Sequence, residues 1–103
     1  MTENHPDVPT IRANRLEIAR MLVAEDARVE RAKRKARAEG KRSNAGVQAG
    51  RICRRFGLSE SGYAPMDIIA SSFIMGGITL GGPAKDPMQV ALAAIDAACK
   101  EAP

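Results

Sequence analysis

Thirty consecutive residues, from Ile11 to Gly40, contain no proline and no glycine before the last position. The first half of this run puts Ile18, Leu22 and Val29 on one seam, which is typical of an amphipathic helix. The second half is almost entirely charged. A helix of this length extends about 45 Å, more than the core of a small domain covers. We therefore predict one helix over about 11–40, whose basic half projects from the domain or pairs with another chain.

Glycines and prolines divide the rest of the chain into three shorter helices. Their predicted ranges are Ala45–Phe56, Pro65–Met75 and Asp86–Ala102. Gly57 is placed to end the first in a left-handed conformation, and Gly76-Gly77 to end the second. Pro65 suits the first turn of the second helix, and Asp86-Pro87 supplies a cap and a first-turn proline to the third. Ser43 or Asn44 is expected to cap the first of the three.

The fold predicted from these elements is all-α, a long basic N-terminal helix with three shorter helices in a small bundle. Only 3% of the 103 residues are aromatic and no alternating apolar pattern occurs, which disfavours a sheet. Residues 1–9 are predicted to be a flexible tail and residues 10–103 a single helical domain, with Thr10 as the first N-cap. The predicted core or interface residues are Ile18, Leu22, Val29, Ile69, Phe73, Leu92 and Ile95.

The positive charge is concentrated in one part of the chain. Between Arg28 and Arg55 there are eleven lysines and arginines against two glutamates, whereas the rest of the chain has five against ten acidic residues. Such a block attracts polyanions. The candidate nucleic-acid-binding residues are Arg28, Arg31, Arg34, Lys35, Lys41, Arg42, Arg51, Arg54 and Arg55. A solvated helix face, or a surface for an acidic protein or membrane headgroups, are the alternatives for the same residues.

Residues that carry catalysis or bind metals are scarce. The only histidine, His5, lies in the predicted tail, and Cys53 and Cys99 are isolated thiols. Glu25 and Asp26 are adjacent on a helix and point in different directions. The glycine pairs at 76–77 and 81–82 lack the following Lys and Ser/Thr of a phosphate loop. We therefore predict no enzymatic activity, no cofactor and no metal site.

The stretch "RICRRFGLSESGYAPMDIIA" (51–70) superficially matches a helix-turn-helix. Its recognition helix would have to include Gly62 and Pro65, and an internal proline costs roughly 3 kcal/mol. That helix also lacks the Arg, Lys, Asn and Gln side chains that contact base edges. The sequence instead predicts contact with the phosphate backbone, strongly salt-dependent and weakly sequence-specific.

The N-terminal stretch "MTENHPDVPT" has neither the basic nor the apolar region of a signal peptide. The longest apolar stretch, "PMDIIASSFIMGGITLGGP", is too short and too rich in glycine to span a bilayer. The two unpaired cysteines fit a reducing compartment. We expect a cytoplasmic protein without a membrane partner.

The segment "ERAKRKARAEGKRSNAGVQAGRICRRFGLSES", followed by "APMDIIASSFIMGG", resembles the small conjugal-transfer accessory proteins of alphaproteobacterial plasmids, the TraD/TraC type. The likeness lies in a basic helical segment, the Gly50-to-Leu58 stretch and an apolar helix from Ile68 to Gly76. It covers about half the chain, roughly 30–77. The resemblance implies an accessory role in DNA transfer at a plasmid origin, with no catalytic residues.

The predicted function is that of a non-enzymatic, nucleic-acid-associated accessory protein of a mobile element, with double-stranded DNA as the expected partner. Helices Pro65–Met75 and Asp86–Ala102 are expected to form the core or a dimer interface, so a homodimer is one predicted arrangement. The alternative function is that of a protein-binding inhibitor or adaptor, such as a phage or plasmid antagonist of a host nucleic-acid machine. In that case the basic block occupies a surface that normally meets nucleic acid.

Overall fold

The computed structural model describes residues 5–60, 64–79 and 86–99, and these ranges contain five α-helices and no strand. The helices are α1 (Val8–Ala13), α2 (Arg15–Ala38), α3 (Ala49–Phe56), α4 (Pro65–Thr79) and α5 (Pro87–Cys99). They pack as a small helical bundle, so the predicted all-α class is confirmed. The chain measures 47 × 28 × 20 Å along its principal axes.

The helix predicted over about 11–40 is two helices, separated at Asn14. The Asn14 side chain donates from Nδ2 to the carbonyl of Thr10, 2.9 Å away, and its backbone leaves helical geometry at φ −113° and ψ 23°. Asparagine favours such breaks because its side chain competes for backbone hydrogen bonds. Helix α2 starts after this break, at Arg15. Among the described residues, the predicted set of four helices becomes five.

The first helix also begins earlier than the sequence indicated, at Val8 instead of Ile11. Val8 and Ile11 are both buried in the core. Asp7 is buried as well, and its Oδ2 accepts a hydrogen bond of 2.9 Å from the backbone N–H of Ser59. The part of the predicted tail from Asp7 onward therefore packs against the domain, while residues 1–4 lie outside the described ranges.

Helix α5 is the centre of the bundle, since it contacts α1, α2 and α4. Its buried face consists largely of small side chains, Ala91, Ala94 and Ala98, which let the neighbouring helices approach closely. Ile95 fills the middle of this face. Of the predicted core residues, Ile18, Leu22, Val29, Ile69, Phe73 and Ile95 are buried and Leu92 is half-buried. Asp86 caps α5 as predicted, with Oδ1 accepting the N–H of Met88 at 3.0 Å.

Two predicted helix boundaries differ from those observed. Helix α4 continues through Gly76-Gly77 to Thr79, because glycine inside a helix costs only about 1 kcal/mol and does not by itself end it. Helix α3 begins at Ala49 instead of Ala45. The end of α5 predicted near Ala102 and the glycine pair at 81–82 lie outside the described residues.

Helix α3 ends as predicted, at Gly57. This glycine has a φ of 68°, and the N–H of Leu58 donates to the carbonyl of Cys53 at 2.8 Å. Leu58 is buried behind the turn. This hydrogen bond and the buried residue after the glycine are those of a Schellman helix end.

Candidate nucleic-acid interface

The basic block forms an arm that begins where the core ends. Beyond Val29 no residue of α2 is buried, and the helix ends at Ala38. The chain then reverses at Gly40, which has a φ of 68°, and the N–H of Lys41 donates to the carbonyl of Ala36 at 2.8 Å. Residues 30–48, the end of α2 and the segment after it, are called the basic arm below.

The segment 41–48 contains neither helix nor strand and returns to the base of α2. Arg28 donates from Nη2 to the carbonyl of Gly46 at 3.0 Å, and the N–H of Gln48 donates to Glu25 Oε2 at 3.0 Å. Twelve helical residues from Arg28 to Gly40 rise about 18 Å, and six extended residues from Gly40 to Gly46 span about 20 Å. The two lengths match, so the returning segment lies antiparallel to the end of α2.

The returning segment covers one side of the helical part of the arm. Ser43, Ala45 and Val47 are half-buried and alternate with exposed residues, the two-residue period of extended backbone. Ala32 and Ala36 are the only residues of the helical part beyond Val29 that are half-buried. The opposite side of that helical part is exposed.

That exposed side is basic. Arg31, Arg34 and Lys35 are spaced three and four residues apart and are therefore neighbours on the helix surface. They lie on the side opposite Val29, Ala32 and Ala36, and all three are exposed. Within residues 5–60, 64–79 and 86–99, no carboxylate lies within 4.0 Å of Arg31, Lys33, Arg34, Lys35, Arg37 or Arg42.

The base of the arm is organised by a buried carboxylate, Glu25. Arg28 binds it with two hydrogen bonds, from Nε to Oε1 at 3.1 Å and from Nη2 to Oε2 at 3.0 Å. The N–H of Gln48 donates to Oε2 at 3.0 Å, and Arg51 Nη1 lies 3.4 Å from Oε1. Gln48 is the residue before α3, so this carboxylate also puts negative charge at the N-terminus of that helix, where the helix dipole favours it.

The pKa values of two neighbouring carboxyl groups are shifted in opposite directions. The hydrogen bonds from Arg28 lower the pKa of Glu25, against the opposing effect of burial. Burial, with the charge of Glu30 adding to it, raises the pKa of Asp26, whereas the charge of Lys33 lowers it. Glu25 is therefore stabilised as an anion, while ionised Asp26 has a less favourable environment.

Three further arginine and lysine residues of the predicted set are paired with acids. Arg54 Nη1 lies 3.4 Å from Glu60 Oε1, and Arg55 Nη2 lies 3.2 Å from Glu17 Oε1. The Arg55 guanidinium also sits 5.2 Å from the centre of the Phe56 ring. Lys41 is paired weakly with its neighbour Glu39, at 4.0 Å.

The structure thus divides the predicted binding residues into two groups. Arg28, Lys41, Arg51, Arg54 and Arg55 are paired with acidic side chains. Arg31, Arg34, Lys35 and Arg42 are exposed on the arm without a carboxylate within 4.0 Å among the described residues. Sequence reasoning missed Lys33 and Arg37, which belong with the second group, and the role of Glu25. The signal for Glu25 was its position on the apolar seam of α2, where a charged residue needs a partner.

Residues 61–63 of the apparent helix-turn-helix lie outside the described ranges. Residues 58–60 are not helical, and α4 begins at Pro65. Ala64, Pro65 and Met66 are buried, so the start of α4 faces the core. Between Pro65 and Met75 this helix has no lysine or arginine.

Both cysteines are buried and free. The Cys53 thiol donates to the carbonyl of Ser59 at 3.3 Å, and burial raises the pKa of both Cys53 and Cys99. The carbonyl of Cys99 accepts a hydrogen bond of 2.6 Å from Arg12 Nη2, at the end of α5. The thiols are thus placed to pack and not to react.

No helix in the described ranges is both long and apolar enough to cross a membrane. Comparison of the chain with protein-family models, with curated proteins and with solved structures finds no match.

Proposed function

We propose that this protein is a non-enzymatic accessory protein that binds the phosphate backbone of nucleic acid, with double-stranded DNA as its partner. The observation that carries the proposal is the exposed basic side of the arm, where Arg31, Arg34 and Lys35 have no acidic partner among the described residues. Unpaired cations held together on a rigid helix suit a polyanion, since binding needs no internal ion pair to break.

The density of charge on the arm supports an extended polyanion over a single phosphate group. Arg31, Arg34, Lys35 and Arg37 fall within six residues of helical rise, about 9 Å, or one cation per 2–3 Å. Duplex DNA carries one negative charge per about 1.7 Å of its axis. The arm and a duplex therefore have comparable linear charge densities of opposite sign.

The finer part of the proposal is a role in conjugal DNA transfer or another process of a mobile element. It is supported by the resemblance of residues 30–77 to conjugal-transfer accessory proteins. A backbone-binding arm on a small helical body fits an accessory protein that helps assemble other components on DNA and does no chemistry itself.

The test is fluorescence anisotropy with a labelled duplex of about 30 base pairs, long enough to exceed the footprint of a single small domain. At about 50 mM salt the chain is expected to bind, and the double variant R31Q/K35Q to bind at least tenfold more weakly. R54Q/R55Q removes the same charge from paired residues and is the matched control. R54Q/R55Q is expected to lose less affinity for the duplex than R31Q/K35Q. Circular dichroism checks that both variants remain helical.

Absence of duplex binding by the unmodified chain at low salt would refute the proposal. Equal losses in the two double variants would show that the arm has no special part in binding.

One observation favours a protein partner as a second candidate function. Ile74 and Met75 are adjacent on α4 and are 42% and 57% exposed, so two large apolar side chains are presented side by side to solvent. An adaptor or inhibitor would keep its partner after nuclease treatment, whereas a partner bridged by DNA would be released. Affinity capture with and without nuclease, repeated with I74S/M75S, separates the two functions.

A further inference from the structure

Four of the nine predicted binding residues lie on or beside α3 and at the base of the arm, and each is bound to a glutamate. Glu25 holds Arg28 and Arg51, Glu60 holds Arg54 and Glu17 holds Arg55. Packing of α3 against α2 brings Arg55 to Glu17 and Arg51 to Glu25. Arg28 and Glu25 are neighbours on one face of α2, and Glu60 follows α3 closely in the chain. The sequence had grouped the same arginines with those of the arm in one basic block from Arg28 to Arg55.

We propose that the polyanion-binding surface is confined to Arg31, Lys33, Arg34, Lys35, Arg37 and Arg42 of the arm, and that Glu17, Glu25 and Glu60 withhold the other arginines from it. This inference rests on the proposed function and specifies its interface. The glutamates act as intramolecular competitors, since a phosphate must displace a carboxylate before it gains a guanidinium.

The three glutamates hold their arginines to different degrees. Glu25 is buried and accepts four hydrogen bonds, from Arg28, Arg51 and the Gln48 backbone. Arg28 and Arg51 are therefore held by a buried group that the folded structure needs. Glu17 and Glu60 have side chains that are 48% and 54% exposed, and exposed pairs contribute little to stability. Removing these two charges therefore frees Arg55 and Arg54 without removing a support of the fold.

The number of phosphates contacted can be read from the salt dependence of binding. The logarithm of the association constant falls with the logarithm of salt concentration with a slope of about −0.9 per phosphate neutralised. Six arm cations give an expected slope of about −5 for the unmodified chain, and all nine predicted residues would give about −8. The difference is large enough to measure between about 50 and 200 mM salt.

The decisive comparison is between E17Q/E60Q and E30Q, with the same labelled duplex. E17Q/E60Q is expected to steepen the slope by about 2, because it releases two arginines. Glu30 is exposed on the arm and has no cation within 4.0 Å among the described residues, so E30Q changes the net charge without releasing an arginine. E30Q is therefore expected to raise affinity and leave the slope unchanged. Thermal unfolding followed by circular dichroism checks that each variant keeps its helices.

A slope near −8 for the unmodified chain, or no steepening in E17Q/E60Q, would overturn this inference and leave the proposed function standing. Equal steepening in E30Q would also overturn it, since net charge alone would then explain the effect. If the unmodified chain binds no duplex even at low salt, the proposed function and the inference fail together.

Discussion

The carboxylate of Glu25 accepts the backbone N–H of Gln48 at 3.0 Å, although the two residues are 23 positions apart in the chain. Through this contact a side chain on the third turn of α2 fixes the residue before α3. The same carboxylate is bound by Arg28, which in turn donates to the carbonyl of Gly46. A single buried charge thus connects the long helix, the returning segment of the arm and the start of the next helix.

Replacing Glu25 with alanine is expected to lower the free energy of unfolding by about 2 kcal/mol, the scale of lost hydrogen bonds to a charged group. It leaves Arg28 and the Gln48 N–H without their acceptor. Urea unfolding followed by circular dichroism measures the change. E17A removes an exposed glutamate from the same helix and is expected to cost less than 1 kcal/mol. A similar loss in both variants would contradict the role assigned to Glu25.

Acid should destabilise the fold partly through Glu25. Its pKa is lowered in the folded protein by the hydrogen bonds from Arg28, so ionised Glu25 favours folding. This contribution is fully present above the unfolded-state pKa of about 4.3 and is lost as the pH falls through the lower folded-state value. Unfolding free energies measured from pH 6 to about pH 2 should therefore fall less steeply in E25Q than in the unmodified chain. Parallel profiles would contradict this.

The left-handed conformation of Gly57 predicts a conformational penalty for any side chain there. A Cβ at this position meets nothing within 4 Å, so the strain comes from its φ of 68° alone. G57A is expected to cost about 1–2 kcal/mol in thermal or urea unfolding. G46A is the control, because Gly46 also has open space but no positive φ. It is expected to be neutral or to stabilise slightly, by reducing the entropy of the unfolded chain.

Ile95 is buried in the middle of the helix that the others pack around, and is only 1% exposed. I95A should cost about 2–5 kcal/mol because it leaves a cavity, and the milder I95V about 1 kcal/mol. Leu92 lies three positions before Ile95 on α5 and is only half-buried, so L92A should cost less than I95A. The reverse order in chemical unfolding would mean that α5 presents another face to the core.

Much of the fold follows from local patterns. Gly57 ended a helix, Asp86-Pro87 began one, and the apolar seam of Ile18 and Leu22 became a buried face, because caps and periodicity act over a few residues. The local signals gave the wrong helix boundary where a residue is compatible both with a helix and with its interruption. Asn14 was compatible with a helix yet broke it, and Gly76-Gly77 were compatible with a helix end yet continued it.

By itself the sequence determined the all-helical class and the density of positive charge from Arg28 to Arg55, since helix propensity, apolar period and net charge are local properties. Only the tertiary structure decided which of those charges are available. Folding brought Glu17 to Arg55 and Glu25 to Arg51, pairs 38 and 26 positions apart, and left the outer side of the arm unpaired within the described ranges. Pairing between residues distant in the chain depends on how helices pack, and a linear count of charges does not contain that information.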